Sequence, residues 1–289
     1  MVQNKSNKKK RSAKSLHISN MKPGSHMIMW VWVLIVVFPL YIMVINSFKD
    51  KRSIYTNTFG LPAEWNFSNY TDVLASGDFL VYFKNSLAVV LLSLFLMLVL
   101  GSVASYALAQ WQGKISTTIY YFLIAGMMMP IKIASIKLME IVRALGLMNS
   151  IWALIPIYVA MGLPIAVFVL TEFIRQIPGE LSEAARIDGC GRFNILLKII
   201  APLLKPAVAT VAIYNLIPFW NDLWFPLIFI SDEGSKTLLL GVSRLFGQYQ
   251  TDWSKVLAVL VLASLPVISL YLIMSRQFIR GMTAGAVKG

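Results

Sequence analysis

The chain has 289 residues, of which 57% are hydrophobic and 13% charged. Soluble domains carry about a quarter charged residues, so this sequence has too few charges to cover a water-facing surface, and a soluble fold is excluded early. The net charge of +13, from 26 basic against 13 acidic residues, belongs to a chain whose apolar residues fall in long uncharged runs. No basic face on a soluble domain exists to bind nucleic acid, and the excess fits loops held at the anionic, cytoplasmic side of a bilayer.

Residues 1–26 read as a basic cytoplasmic arm, with Lys5, Lys8, Lys9, Lys10, Arg11, Lys14 and Lys22 and no apolar periodicity. The transmembrane domain then occupies 27–289. Met27–Ile45 is longer than a signal-peptide core, no small-residue cleavage site follows it closely, and it reads as the first span, with Pro39 expected to kink it. The loop from Ser47 to about Tyr82 carries Gly60-Leu61-Pro62 and Trp65, and reads as an ordered connection lying on the membrane. Charges bracket five more apolar runs. Lys84 and Lys114 bound the second, Lys114 and Lys132 the third, and Arg143 and Glu172 the fourth. The fifth runs from Lys205 to about Ile230, interrupted by Asp222, and the sixth lies between Lys255 and Arg276. Each is near the length a helix needs to cross about 30 Å of hydrocarbon, where unpaired backbone groups are too costly for any open structure. The expected fold is therefore an all-α polytopic membrane protein with six transmembrane helices.

Six spans place both termini on one side, and the arm puts that side in the cytoplasm. On this topology sixteen basic residues fall inside and ten outside, a bias of the right sign. One cysteine, Cys190, allows no intrachain disulfide, and with only His17 and His26 it makes no zinc site. No metal, catalytic residue or bound cofactor is expected of this chain.

The loop between spans four and five, about 174–205, is the most informative segment. Pro178-Gly179-Glu180-Leu181-Ser182-Glu183-Ala184-Ala185-Arg186-Ile187-Asp188-Gly189 reads as a short helix. Pro178 suits its first turn, Glu180 and Glu183 suit its N-terminal dipole, and Gly189 suits the left-handed residue that stops it. Leu181, Ala184, Ala185 and Asp188 fall at helical spacing and form a small-residue face, on which a partner could approach closely. An amphipathic return, Ile195–Pro202, leads back to the membrane. From the residues alone, a docking knob and a plain amphipathic connection are equally good readings.

Glu183-Ala184-Ala185, three residues, Gly189, nine residues, Ile199, one residue and Ala201-Pro202 resembles the EAA signature of ABC-importer permeases, with Ala where the family usually has Leu before the final proline. Gly146–Leu154, Phe219-Trp220-Asn221-Asp222 with Trp224-Phe225-Pro226-Leu227, and the tail Arg280–Gly289 resemble the MalG-like carbohydrate branch of that family. The resemblance spans about Trp65–Gly289 and implies a MetI-like type I permease. It further implies a bacterial inner-membrane location, a second, MalF-like permease, two cytoplasmic ABC ATPase copies and an extracytoplasmic binding protein that delivers a sugar, in that branch an oligosaccharide. ATP and Mg would be used by the ATPase partners, because this chain has no G-x-x-x-x-G-K-[ST] loop. The residues implied to couple to the ATPase are Glu183, Ala184, Ala185, Asp188 and Gly189, with Met282, Thr283, Ala284 and Gly285 of a slim, extended cytoplasmic tail (276–289).

Within the fifth run, Asn215, Trp220, Asn221 and Asp222 are candidates to line the translocation path, since amide and aromatic groups suit sugars; polar groups in a span also serve simply to join helices. Lys132, Lys137, Glu140 and Arg143, at the outer end of span three, read as interfacial charges in preference to a polar patch where solute enters, with Glu140 spaced to pair along a helix. Met127-Met128-Met129-Pro130 reads as helix packing with a proline kink rather than a metal path. A secondary transporter would need no docking motif, and a membrane enzyme would want clustered His, Cys or paired carboxylates.

Overall fold

The computed structural model describes residues 23–111, 113–243, 245 and 251–286; the arm up to residue 22 and the last three residues lie outside the described residues. Helix α1 (Pro23–Ser47) starts at a proline, which is preorganised for a first helical turn, so residues 23–26 are helical rather than part of the arm. The helix runs unbroken through Pro39. Beyond it come two short helices, α2 (Lys51–Thr56) and α3 (Ser68–Ala75). The connection is ordered because it folds on one buried cation. Lys49 is 1% exposed, and its Nζ donates to the carbonyls of Asn57 (2.5 Å) and Gly60 (2.7 Å). Desolvation by burial holds the Lys49 ammonium below the usual lysine range. Asn69 Nδ2 donates to Ser47 O and Lys49 O, both at 2.9 Å, and Phe48 sits among Trp65, Phe67 and Tyr70.

Helix α4 (Asp78–Gln110) is the second crossing, and Lys84 lies within it rather than before it. The third crossing departs from the expected single helix. α5 (Lys114–Gly126) ends early, a 3-10 turn covers Ile131–Ala134, and α6 (Ser135–Ala144) leaves at 84°. Pro130 supplies the reason: it has no N–H to donate and disfavours helical angles at the residue before it. Met128 and Met129 are 85% and 75% exposed at this elbow, so they do not pack helices as expected. After α7 (Leu154–Ile174) come α8 (Gly179–Ile187), α9 (Arg192–Ile195), a π segment (Leu196–Ile200) and α10 (Ala201–Trp220). The π turn lies just before Pro202, whose ring would clash with the carbonyl four residues back in a regular helix. The fifth span therefore begins at Arg192, well before Lys205, and ends at Trp220. α11 (Trp224–Phe229), α12 (Leu238–Ser243) and α13 (Trp253–Ala286) complete the chain.

Among the described residues, five helical runs are long and apolar enough to cross a membrane, six if the bent α5–α6 pair is counted as one span, and there is no strand. α4 lies along α7, α10 packs across both, α13 packs on α10, and α1 on α13. Glycines allow the close contacts. A Cβ on Gly101 would stand 2.9 Å from the Ala166 Cβ, and Gly162 is covered by Met97, Asn215 and Phe219. Half of the α7 window is buried against 6% of α1, so α7 is the centre of the bundle and α1 its outer member.

Candidate functional site

Helix α8 sits on a floor of its own. Tyr106 of α4, Ile174 of α7 and Ile195, Leu196, Ile200 and Leu204 of the returning helix form a buried cluster, and Ala185 packs into it. Ser182 and Ala185 are 4% and 6% exposed, while Glu180, Glu183, Ala184, Ile187, Asp188 and Gly189 are exposed. Residues three and four apart share a helical face. Glu180, Glu183, Ala184 and Ile187 thus form one outward stripe, and Ser182, Ala185 and Arg186 face inward or to the flank.

The end of α8 is a Schellman motif. Gly189 N–H donates to Arg186 O (3.0 Å), Cys190 N–H donates to Ala185 O (2.9 Å), and Gly189 has φ +80°. The left-handed residue turns the chain back at once, so α8 stands as a short knob. A Cβ on Gly189 would meet nothing within 4 Å, so the glycine is required by backbone conformation and not by space. Arg186 Nη2 donates to Gln110 Oε1 at 3.2 Å, tying the knob's flank to α4. Just before α8, Tyr120 and Arg175 both donate to Glu172 Oε1 at 2.7 Å, which pins α5 to the end of α7.

The second cluster lies at the break after α10. Asp222 Oδ2 accepts from Tyr158 Oη (2.9 Å) and from Phe225 N (3.3 Å), and Oδ1 accepts from Trp224 N (3.1 Å). This carboxylate follows the end of α10, caps the first turn of α11 and ties it to the second turn of α7. Trp224 in turn donates from Nε1 to Ser135 Oγ (2.9 Å) and lies under Lys132, 5.5 Å from the ring centroid, so α11 holds the elbow in place.

Residues 97–283 match the family described as the inner membrane component of binding-protein-dependent transport systems. This chain belongs to that family. It is 38% identical to a putative ABC transporter permease protein, ORF2, of Caldicellulosiruptor sp. (strain Rt8B.4), over 90% of this chain and 94% of that one. It is 31% identical to the diacetylchitobiose uptake system permease protein NgcG of Streptomyces coelicolor, over 91% and 88%. Its fold is similar to a chain of a bacterial ABC transporter involved in the import of the acidic polysaccharide alginate, with a TM-score of 0.78 at 20% identity, covering 88% of this chain and 95% of that chain. The chain is thus a multi-pass, all-α permease of the binding-protein-dependent importer type.

The permease does not group its sequence-derived candidates as expected. Ala185 is turned into the floor, so it seats α8 and does not present a surface, whereas Glu183, Ala184, Asp188 and Gly189 remain exposed. Ile187, 86% exposed on the same stripe as Glu183, is absent from the sequence-derived set; its place four residues after Glu183 was the available signal. The tail is not extended: α13 continues as helix through Met282, Thr283, Ala284 and Gly285 to Ala286. Two glycines cost a long helix only about 1 kcal/mol each, and no proline follows Pro266 to stop it. In the fifth span, Asn215 is 3% exposed and donates to Val211 O within its own helix, and Trp220 Nε1 donates to Ala263 O of α13 at 3.1 Å. Both join helices. Asn221 is exposed, and with Trp220 it lines a groove of about 400 Å³ between α1, α10, α12 and α13. At the elbow, Lys137 Nζ pairs with Glu140 at 2.9 Å, on the solvent side.

Replacing Asp222 by Ala removes the first-turn acceptor of α11 and strands the hydroxyl of Tyr158, which is 1% exposed. The expected loss is about 2 kcal/mol, seen as a lower melting temperature of the purified complex in detergent, with Asp222→Asn losing less. Melting of Asp222→Ala at the parental temperature would show that the α10–α11 break is held by other contacts.

Proposed function

We propose that this permease forms half of the translocation path of an oligosaccharide importer and is driven through α8 by cytoplasmic ABC ATPases. The single observation that carries this reading is the mounting of α8: a Schellman-capped knob, buried on one face in the protein's own floor and presenting Glu180, Glu183, Ala184 and Ile187 on the other. A rigid mount turns force on the outward stripe into movement of α7, α9 and α10, all of which meet that floor. Alternating access is such a rearrangement of packed helices. ATP and Mg act in the ATPase partners. The complete assembly contains a second, MalF-like permease, two ATPase copies and a binding protein outside, with both termini of this chain in the cytoplasm. The class of solute follows from the curated relative that takes up diacetylchitobiose, and the exposed amide of Asn221 is the fifth-span group best placed to meet it. The tail, including Met282 to Gly285, contributes to the ATPase contact as the end of a helix.

Mild purification of the tagged permease from its native membrane should bring down the second permease and the ATPase, and the complex should hydrolyse ATP faster when binding protein loaded with an oligosaccharide is added. An isolated chain that still drives uptake would overturn the assignment.

A further inference from the structure

We propose that the permease carries a binding site for an anionic phospholipid where α4 ends beside α8 and α9. Two adjoining hollows meet at Trp111, which is 63% exposed. The first, about 430 Å³, is walled by Tyr106, Gln110, Arg186, Arg192 and Phe193 among others. The second, about 760 Å³, is a trough between α4 and α5 walled mainly by apolar residues such as Leu108, Ile115, Ile119 and Leu123, with Lys114 at its rim. They share Ala107 and Trp111 as a common wall.

Three observations select the ligand. First, among the described residues neither Arg186 nor Arg192 is in a salt bridge, so the small hollow holds two uncompensated guanidinium groups, the side chain best shaped for phosphate. Second, Tyr106 lines that hollow, and its hydroxyl is buried with no hydrogen-bond partner among the described residues. A buried unpaired hydroxyl is costly, and a small turn of the Tyr106 ring toward the hollow would let a phosphate oxygen between the arginines accept from it. Third, the trough runs along parts of α4 and α5 that cross the hydrocarbon, where an acyl chain can enter and a water-soluble partner cannot. Trp111 and Phe193, the latter 66% exposed, are the amphipathic and aromatic groups that settle at a headgroup interface. The site touches the flank of α8 through Arg186, not its outward stripe, so lipid and a partner on that stripe can bind together.

The test uses the complete complex, stripped of lipid in detergent and titrated with dioleoyl phosphatidylglycerol, bound lipids being counted by native mass spectrometry. Arg186→Gln with Arg192→Gln should weaken phosphatidylglycerol binding about thirtyfold, which corresponds to about 1 kcal/mol per basic side chain at 1.4 kcal/mol per decade. Binding of dioleoyl phosphatidylcholine should not change, and Arg186→Lys with Arg192→Lys should recover most of the loss. Tyr106→Phe, which removes a hydroxyl without a protein partner among the described residues, should weaken phosphatidylglycerol binding severalfold with no fall in the melting temperature of the lipid-stripped complex. Parental binding of phosphatidylglycerol in the double Gln variant, or equal loss of both lipids, overturns the proposal. So does release of the ATPase from the double variant with lipid binding intact, which would assign the arginines to a protein interface.

Discussion

Glu183→Lys and Gly189→Val should abolish uptake while the permease remains in the membrane at its normal level. Glu183 lies exposed on the outward stripe of α8, so a reversed charge there disturbs nothing beneath it and, on the proposed function, should repel the ATPase. Gly189 acts differently. At φ +80° a β-branched residue strains the cap by at least about 1 kcal/mol, although its own chain leaves room for the side chain. The strain is relieved by opening the Schellman turn, which releases the end of the knob. Both variants should keep ATPase activity that no longer rises with loaded binding protein. Lys198→Ala is the control, since it lies on the π segment beyond the cap. The measurement is uptake beside stimulated ATPase in the same membranes. Parental uptake in both variants, with failure of Lys198→Ala, would move the contact from the stripe to the returning helix.

Gly162→Val should cost about 3 kcal/mol, the upper end of the overpacking range, and remove most folded permease from the membrane. Gly162 of α7 faces α4 and α10 at one point. A Cβ there overlaps Met97 Sδ and comes within 2.9 Å of Asn215 Oδ1 and 3.1 Å of Phe219 Cζ. Met97 is fully buried and has nowhere to swing, and Asn215 is fixed by its bond to Val211 O. The helices must therefore separate, and packing is the main force that joins helices in lipid. Gly24→Val, with nothing within 4 Å of its Cβ, is the matched control. Membrane level and melting temperature decide the matter, and a parental value for both would mean that the three helices have slack at Gly162.

The number of crossings and the α8 knob were legible in the chain because both are local. Twenty apolar residues without a charge demand a helix wherever they occur in lipid, and Gly189 stops α8 through its own backbone angles. The elbow was half legible: Pro130 announces a break, but the 84° turn depends on Trp224 holding Ser135 from a distant segment. The roles of Asn215, Trp220 and Asp222 were open in the sequence, because a polar group in a span can face a path or a neighbouring helix. Only the arrangement of α7, α10 and α13 decides it, turning Asn215 and Trp220 inward and giving Asp222 to Tyr158. Ala185 shows the same limit. A helical repeat can sort residues into faces, but which face is buried depends on where Tyr106, Ile174 and Ile195 form the floor, and those residues are brought there by three separate helices.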